Sequence, residues 1–135
     1  MYQNILIPVS LDEDRDVASA VAVARQLSDA NARITFAHVI EPVPVYVTEV
    51  MPPDIWKERR AMAAERLKTL SDGVPNAHSI IIDGSSGRAL TDWAKDNDAD
   101  CIVIASHRPV FSDMFLGSTA TWVVRHAHCA VHVIR

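Results

Sequence analysis

The chain has 135 residues, 49% of them hydrophobic and 22% charged, with a formal charge of −4. That length and apolar content suit one domain, residues 1–135, with a core of its own, and they argue against a disordered chain. The acidic balance argues against a surface for nucleic acid, whose sequence-independent affinity comes from clustered Lys and Arg.

No apolar run approaches the ~20 residues that cross a bilayer, so no membrane insertion is expected. The two cysteines, Cys101 and Cys129, match no metal or redox spacing and form no disulfide framework, which fits a reducing cytoplasm. At the start, Met1-Tyr2-Gln3-Asn4 passes directly into Ile5-Leu6-Ile7 without a cationic stretch or cleavage site, and is expected to be mature protein.

Asn4 to Val9 reads as a first strand. Val17, Ala20, Val21, Ala24 and Leu27 then share one helical face, with Asp12 ahead of them as the cap and Glu13 and Asp14 favouring the helix N-terminus. A second strand runs from Arg33 to Ile40. Glu41 to Asp54 carries four prolines among apolar residues, a composition that disfavours regular helix and predicts a partly ordered flap, with Trp56 placed to pin it. Met51-Pro52-Pro53-Asp54 closes that flap and opens a helix that carries Ile55, Arg59, Met62, Ala63, Leu67 and Leu70 at helical spacing and ends at Asp72-Gly73.

Beyond Asn76, the run His78 to Ile82 is a third strand, and Asp83-Gly84-Ser85 turns into a helix with Leu90, Trp93 and Ala94 on one face. Asp100 to Ala105 is a fourth strand. A last helix holds Ala120, Val123, Val124 and Ala127, and Ala130 to Ile134 is a fifth strand. Val- and Ile-rich runs alternating with helices predict a parallel sheet covered on both faces, and right-handed crossovers make it a doubly wound α/β fold of five strands in the order 3-2-1-4-5.

In such a sheet the ligand crevice lies beyond the carboxyl ends of the strands, where the winding reverses. The first and fourth strands flank it, bringing Pro8, Val9 and Ser10 beside Ala105, Ser106 and His107. Val39 and Ile40, ending the second strand, line a wall suited to a flat apolar base. Leu116-Gly117-Ser118 leads into the last helix, whose unpaired N–H groups and dipole favour an anion. Ser118 also reads as the N-cap of that helix. His126, His128 and His132 straddle a helix end and a strand without ligand spacing, and read as structural, so no metal site is expected.

The chain resembles the universal stress proteins, and most closely their small cytoplasmic F and G branch. The resemblance is carried by Ile5-Leu6-Ile7-Pro8, His38-Val39-Ile40, the Gly84 turn, Ile104-Ala105-Ser106-His107-Arg108-Pro109, Leu116-Gly117-Ser118 and Val124-Arg125-His126-Ala127. It implies an adenine nucleotide alpha hydrolase-like fold and a module for stress response that binds ATP, with magnesium able to bridge the phosphates. Val39 would then meet the base, Pro8, Val9 and Ser10 the nucleoside, and Ala105, Ser106, His107, Arg108, Gly117, Ser118 and Thr119 the phosphates. It also implies a homodimer paired through the C-terminal strand.

Two departures stand against the family pattern. Nucleotide-binding members have Gly, two residues, Gly, nine residues, then Gly and Ser or Thr. Here Ala105 and Arg108 replace the first two glycines, and eight residues separate Arg108 from Gly117. The family aspartate after the first strand is Ser10, which offers a hydroxyl without charge, and Asp12 two residues later either substitutes for that carboxylate or serves only as the cap of the first helix. Arg108 either bonds a phosphate or fills its place, which keeps open the alternative of a nucleotide-free dimeric interaction protein of the A-branch type. No Gly-rich Lys-Ser/Thr loop, dinucleotide fingerprint or general base is present, so any activity is at most slow ATP hydrolysis or self-phosphorylation.

Overall fold

The computed structural model describes residues 1–11, 17–106 and 116–135. In chain order the elements are β1 (Tyr2–Pro8), α1 (Val17–Leu27), β2 (Ser28–Ile40), α2 (Val45–Val50), α3 (Pro53–Asp72), β3 (Ala77–Asp83), α4 (Ser86–Asp96), β4 (Cys101–Ala105), α5 (Ser118–His126) and β5 (Ala130–Ile134). The five strands form one sheet in the order β3-β2-β1-β4-β5, every pair parallel. This is the doubly wound arrangement that the strand and helix alternation predicts.

Alternate residues of the buried strands feed two apolar layers. Ile5, Ile7, Ile34, Phe36, Cys101 and Val103 pack with Ala20 and Ala24 of α1 and Leu67 of α3. Leu6, Ala37, Ile102 and Ile104 pack on the other face with Leu90 and Ala94 of α4 and Ala120 and Val123 of α5. Burying one Leu or Ile side chain contributes about 1.5–3 kcal/mol, so these two layers dominate the favourable side of folding. The strand starts are also tied together: the Asp100 carboxylate accepts the N–H groups of Gln3 (2.8 Å) and Asn4 (3.0 Å), joining the β1 and β4 ends across the sheet.

Two expectations are corrected. The flap is not devoid of helix, because Val45 to Val50 form α2 between Pro44 and Pro52. No proline lies within that stretch, and the Pro44 carbonyl accepts from the Val47 N–H at 2.9 Å, so Pro44 ends the extended approach and starts the turn. β2 also begins earlier than Arg33, directly after α1, with an irregularity in its pairing to β1 between Tyr2 and Asn4. The residues that extend it, Ser28 to Asn31, are largely exposed and polar, so they carry no alternating apolar signal.

As predicted, α3 opens on the prolines, with Pro52 as N-cap and Pro53 at the first helical position, and closes at Gly73. The approach to β3 is set by Asn76, which has a φ of 59° and whose Nδ2 donates to the Asn31 and Ala32 carbonyls at 3.0 and 3.2 Å. The cap read at Asp12 falls outside the described residues.

Candidate functional site

The crevice is built by a ladder that stops early. β1 and β4 pair at Ile5 with Cys101 and at Leu6 with Ile102, and no further. Beyond that point each strand turns to its other neighbour: β1 follows β2 through Pro8 opposite Ala37 and a 2.8 Å bond from Val9 N–H to the Ala37 carbonyl. β4 follows β5 as far as Ala105 opposite Ile134, and Ser106 N–H then donates to the Ile134 carbonyl at 2.8 Å. Pro8 has no N–H to offer β4, which removes a donor where the two strands part. The gap falls at the reversal point of the winding, where open α/β sheets accept ligands.

The His38 imidazole fixes one lip. Its Nδ1 donates to the Val9 carbonyl across 2.8 Å, holding the β1 tail toward β2. Ser10 is exposed just past that anchor, while the Val9 side chain is buried. On β2, Val39 is partly buried and packs beside the α4 and α5 layer.

The opposite lip is the start of α5. Gly117 is the N-cap, and Ser118 is the first residue of the helix, which corrects the expectation that Ser118 caps it; no side chain caps this end. The Gly117 N–H donates to the Ser106 carbonyl, so the two ends of the β4–α5 connection are clasped together. The Thr121 N–H takes the Gly117 carbonyl at 2.9 Å as the first bond of the helix, leaving the N–H groups of Ser118, Thr119 and Ala120 without acceptors inside it. With the helix dipole behind them, such groups make an anion site.

Among the sequence candidates, Pro8, Ser10, Val39, Ala105, Gly117, Ser118 and Thr119 are all at least partly accessible near strand ends or the α5 start. Ser106 differs: it is 2% exposed and its backbone joins Ile134 and Gly117, so it serves as the clasp. His107 and Arg108 lie outside the described residues.

Two features were not singled out as functional by sequence reasoning. His38 sits inside an apolar strand pattern, and only the fold reveals that Val9 is its partner. The second is a rim bond: Glu41 accepts from both the Ser86 N–H (3.2 Å) and the Ser86 hydroxyl (2.8 Å), which holds its carboxyl below the usual range. That bond joins the end of β2 to the start of α4. Gly84 belongs to the same corner, with a φ of 143° suited to glycine and its N–H on the Ile40 carbonyl at 3.1 Å.

The family model described as the universal stress protein family matches residues 1–135. Two similar relatives are a universal stress protein encoded beside a sulfhydrylase gene of Thermus aquaticus, 30% identical over 139 residues, and universal stress protein G of Escherichia coli O157:H7, 30% identical over 142 residues. Each alignment covers 100% of both chains.

Among solved structures, the hypothetical protein MJ0577 superposes with a TM-score of 0.82 at 18% identity, covering 99% of this chain and 96% of that one. A universal stress protein in complex with cAMP gives 0.72 at 18%, covering 99% and 97%. The Archaeoglobus fulgidus universal stress protein in complex with dAMP gives 0.66 at 18%, covering 99% and 98%.

Proposed function

The chain belongs to the universal stress protein family, and from that premise we propose that it is an ATP-binding module of stress response, acting as a homodimer in the cytoplasm. The observation that carries the reading is the parting of β1 from β4 in front of an uncapped helix N-terminus, since together they offer a slot and a set of anion-binding donors. Relatives of the same fold in complex with cAMP and dAMP support an adenine nucleotide as the ligand class.

In this reading the base lies against Val39, the nucleoside passes Pro8, Val9 and Ser10, and the phosphates meet Ala105, Gly117, Ser118 and Thr119, with Ser106 holding the clasp beneath. His107 and Arg108 belong to the proposal on sequence alone. The described site residues contribute no carboxylate, so magnesium would arrive with the phosphates. ATP bound there regulates only through unequal affinity for two conformations.

Titration calorimetry with ATP and magnesium, paired with thermal unfolding, tests the proposal. Binding heat and a stabilisation that grows with ATP concentration are expected. Gly117→Asp supplies a favoured N-cap side chain and a negative charge at the phosphate end. It is expected to keep or raise the melting temperature while weakening ATP about tenfold or more. Absence of both heat and stabilisation in the native protein overturns the proposal and leaves the nucleotide-free interaction module.

A further inference from the structure

Among the described residues of one chain, no three His, Cys, Asp or Glu side chains are placed to share a metal ion. The histidines near the C-terminus nevertheless differ from one another. His126 is engaged, its Nδ1 donating to the Trp122 carbonyl at 2.9 Å and its ring stacked on the indole. His132 is exposed on β5, and its imidazole has no hydrogen-bond or ion-pair partner among the described residues. It is also the one polar side chain of a strand that reads AVHVI.

The direction of the β5 backbone decides what His132 meets. The Ile134 carbonyl accepts the Ser106 N–H from the β4 side. Backbone groups alternate along a strand, so those of Ala130 and His132 also point to β4, and those of Val131 and Val133 point to the outer edge. A copy that pairs antiparallel about a two-fold axis bonds to that outer row. With the axis at His132, all five residues of β5 find a partner. Val131 then meets the partner's Val133 in a hydrogen-bonded pair, and His132 meets the partner's His132 in a non-hydrogen-bonded one. An axis at Val131 or Val133 leaves part of the strand unpaired.

Non-hydrogen-bonded pairs bring side chains closest, with Cα atoms about 4.5 Å apart and Cβ atoms about 4.5–5.5 Å apart. Val131 and Val133 belong to the α4 and α5 layer, so both imidazoles stand on the opposite face of the sheet, beside Val103 of β4.

We propose that the two copies of His132 form a site on the dimer axis for a divalent transition cation of the zinc class, with one imidazole nitrogen from each protomer and water in the remaining positions. The proposal rests on the homodimer reading, and it gives a ligand role to a histidine that sequence alone left structural. Imidazole nitrogens ligate zinc at ~2.0–2.1 Å, and tetrahedral geometry sets two of them ~3.3 Å apart, within reach of side chains rooted ~5 Å apart. Because neither protomer holds the pair alone, the cation binds the dimer in preference to the monomer and tightens it.

The test is calorimetry and sedimentation with zinc chloride in a nucleotide-free, non-chelating buffer. One zinc per two chains is expected, with a Kd on the order of 10 μM, as suits two protein ligands in place of four. At about ten times that concentration the dimer dissociation constant should fall about tenfold. Magnesium, which takes oxygen ligands, should give no heat. His132→Ala removes no backbone bond, so it should remain a dimer and lose the zinc, whereas His128→Ala should keep both.

A dimer that takes up no zinc at about 1 mM overturns the proposal and leaves the homodimer reading standing. Zinc uptake that His132→Ala leaves intact, or a stoichiometry of one zinc per chain, overturns it as well. A parent protein that stays monomeric with and without zinc removes the homodimer reading together with the site.

Discussion

Asp83 and Glu41 hold two corners of the C-terminal rim in their ionised forms. Asp83 receives the Arg60 fork from α3, and that hydrogen-bonded pair holds its carboxyl below the ordinary 3.8. Glu41 receives Ser86 from α4 and lies below the ordinary 4.5. Because both folded values are depressed, their contribution to stability is complete above the ordinary values and is lost as pH falls through the lowered ones. Urea unfolding from pH 7 down to pH 3 should therefore show a loss of stability that begins near the ordinary carboxylate range. The Asp83→Asn, Glu41→Gln double variant should be less stable than the parent at pH 7 and show a shallower fall with acid. Identical pH profiles would mean that these pairs do not contribute, an outcome open to exposed pairs because solvent screens them.

The same residues mark what a sequence discloses at this scale. Gly117 is legible because a glycine before a helical pattern has few other reasons to be there. Asp83 with Arg60 and Glu41 with Ser86 are not, because their separations of 23 and 45 residues are bridged only by the folded sheet. The role of Ser118 was misread because Ser and Gly are both acceptable N-caps and differ by one position.

Among the elements, α4 and α5 are the pair on which the α5 donors depend. They meet at Gly87, where a Cβ would stand 2.6 Å from both Cβ and Cγ of Trp122. Those atoms are at the root of the side chain, so rotating the indole tip gives no relief and α5 itself must shift. Trp122 is further fixed by its Nε1 bond to the Thr91 hydroxyl at 3.4 Å and by stacking on His126 at 3.8 Å. Gly87→Ala should cost about 1–3 kcal/mol in urea unfolding. By displacing the start of α5 it should also weaken ATP, an effect that calorimetry separates from stability when measured well below the melting temperature. Unchanged stability would show that α5 yields freely.

Strong periodicity made α1, α4 and α5 readable, and Pro52-Pro53 marked the start of α3. α2 was hidden because prolines on both sides dominate the composition of the flap, although none lies within Val45–Val50. Helices this short carry too few residues to show a face.

At the scale of the molecule, strand order was legible because right-handed crossovers leave few ways to wind five parallel strands. The same order puts β5 at an edge, and that has a consequence for assembly. Ala130-Val131-His132-Val133-Ile134 has no Lys, Glu, Asp or Pro, the residues that normally blunt an edge. Val131 and Val133 are committed to the α4 and α5 layer, while Ala130 and His132 are exposed.

Pairing of β5 with its copy about a two-fold axis would satisfy the outer row of backbone groups, which makes the proposed homodimer the economical solution. Sedimentation should give twice the 14.9 kDa chain mass at micromolar concentration. Ala130→Glu with His132→Glu should set like charges against each other across the axis and raise the dimer dissociation constant about tenfold or more. A parent protein that sediments as a monomer, or a doubly substituted one whose dimer is undiminished, would place the interface elsewhere or remove it.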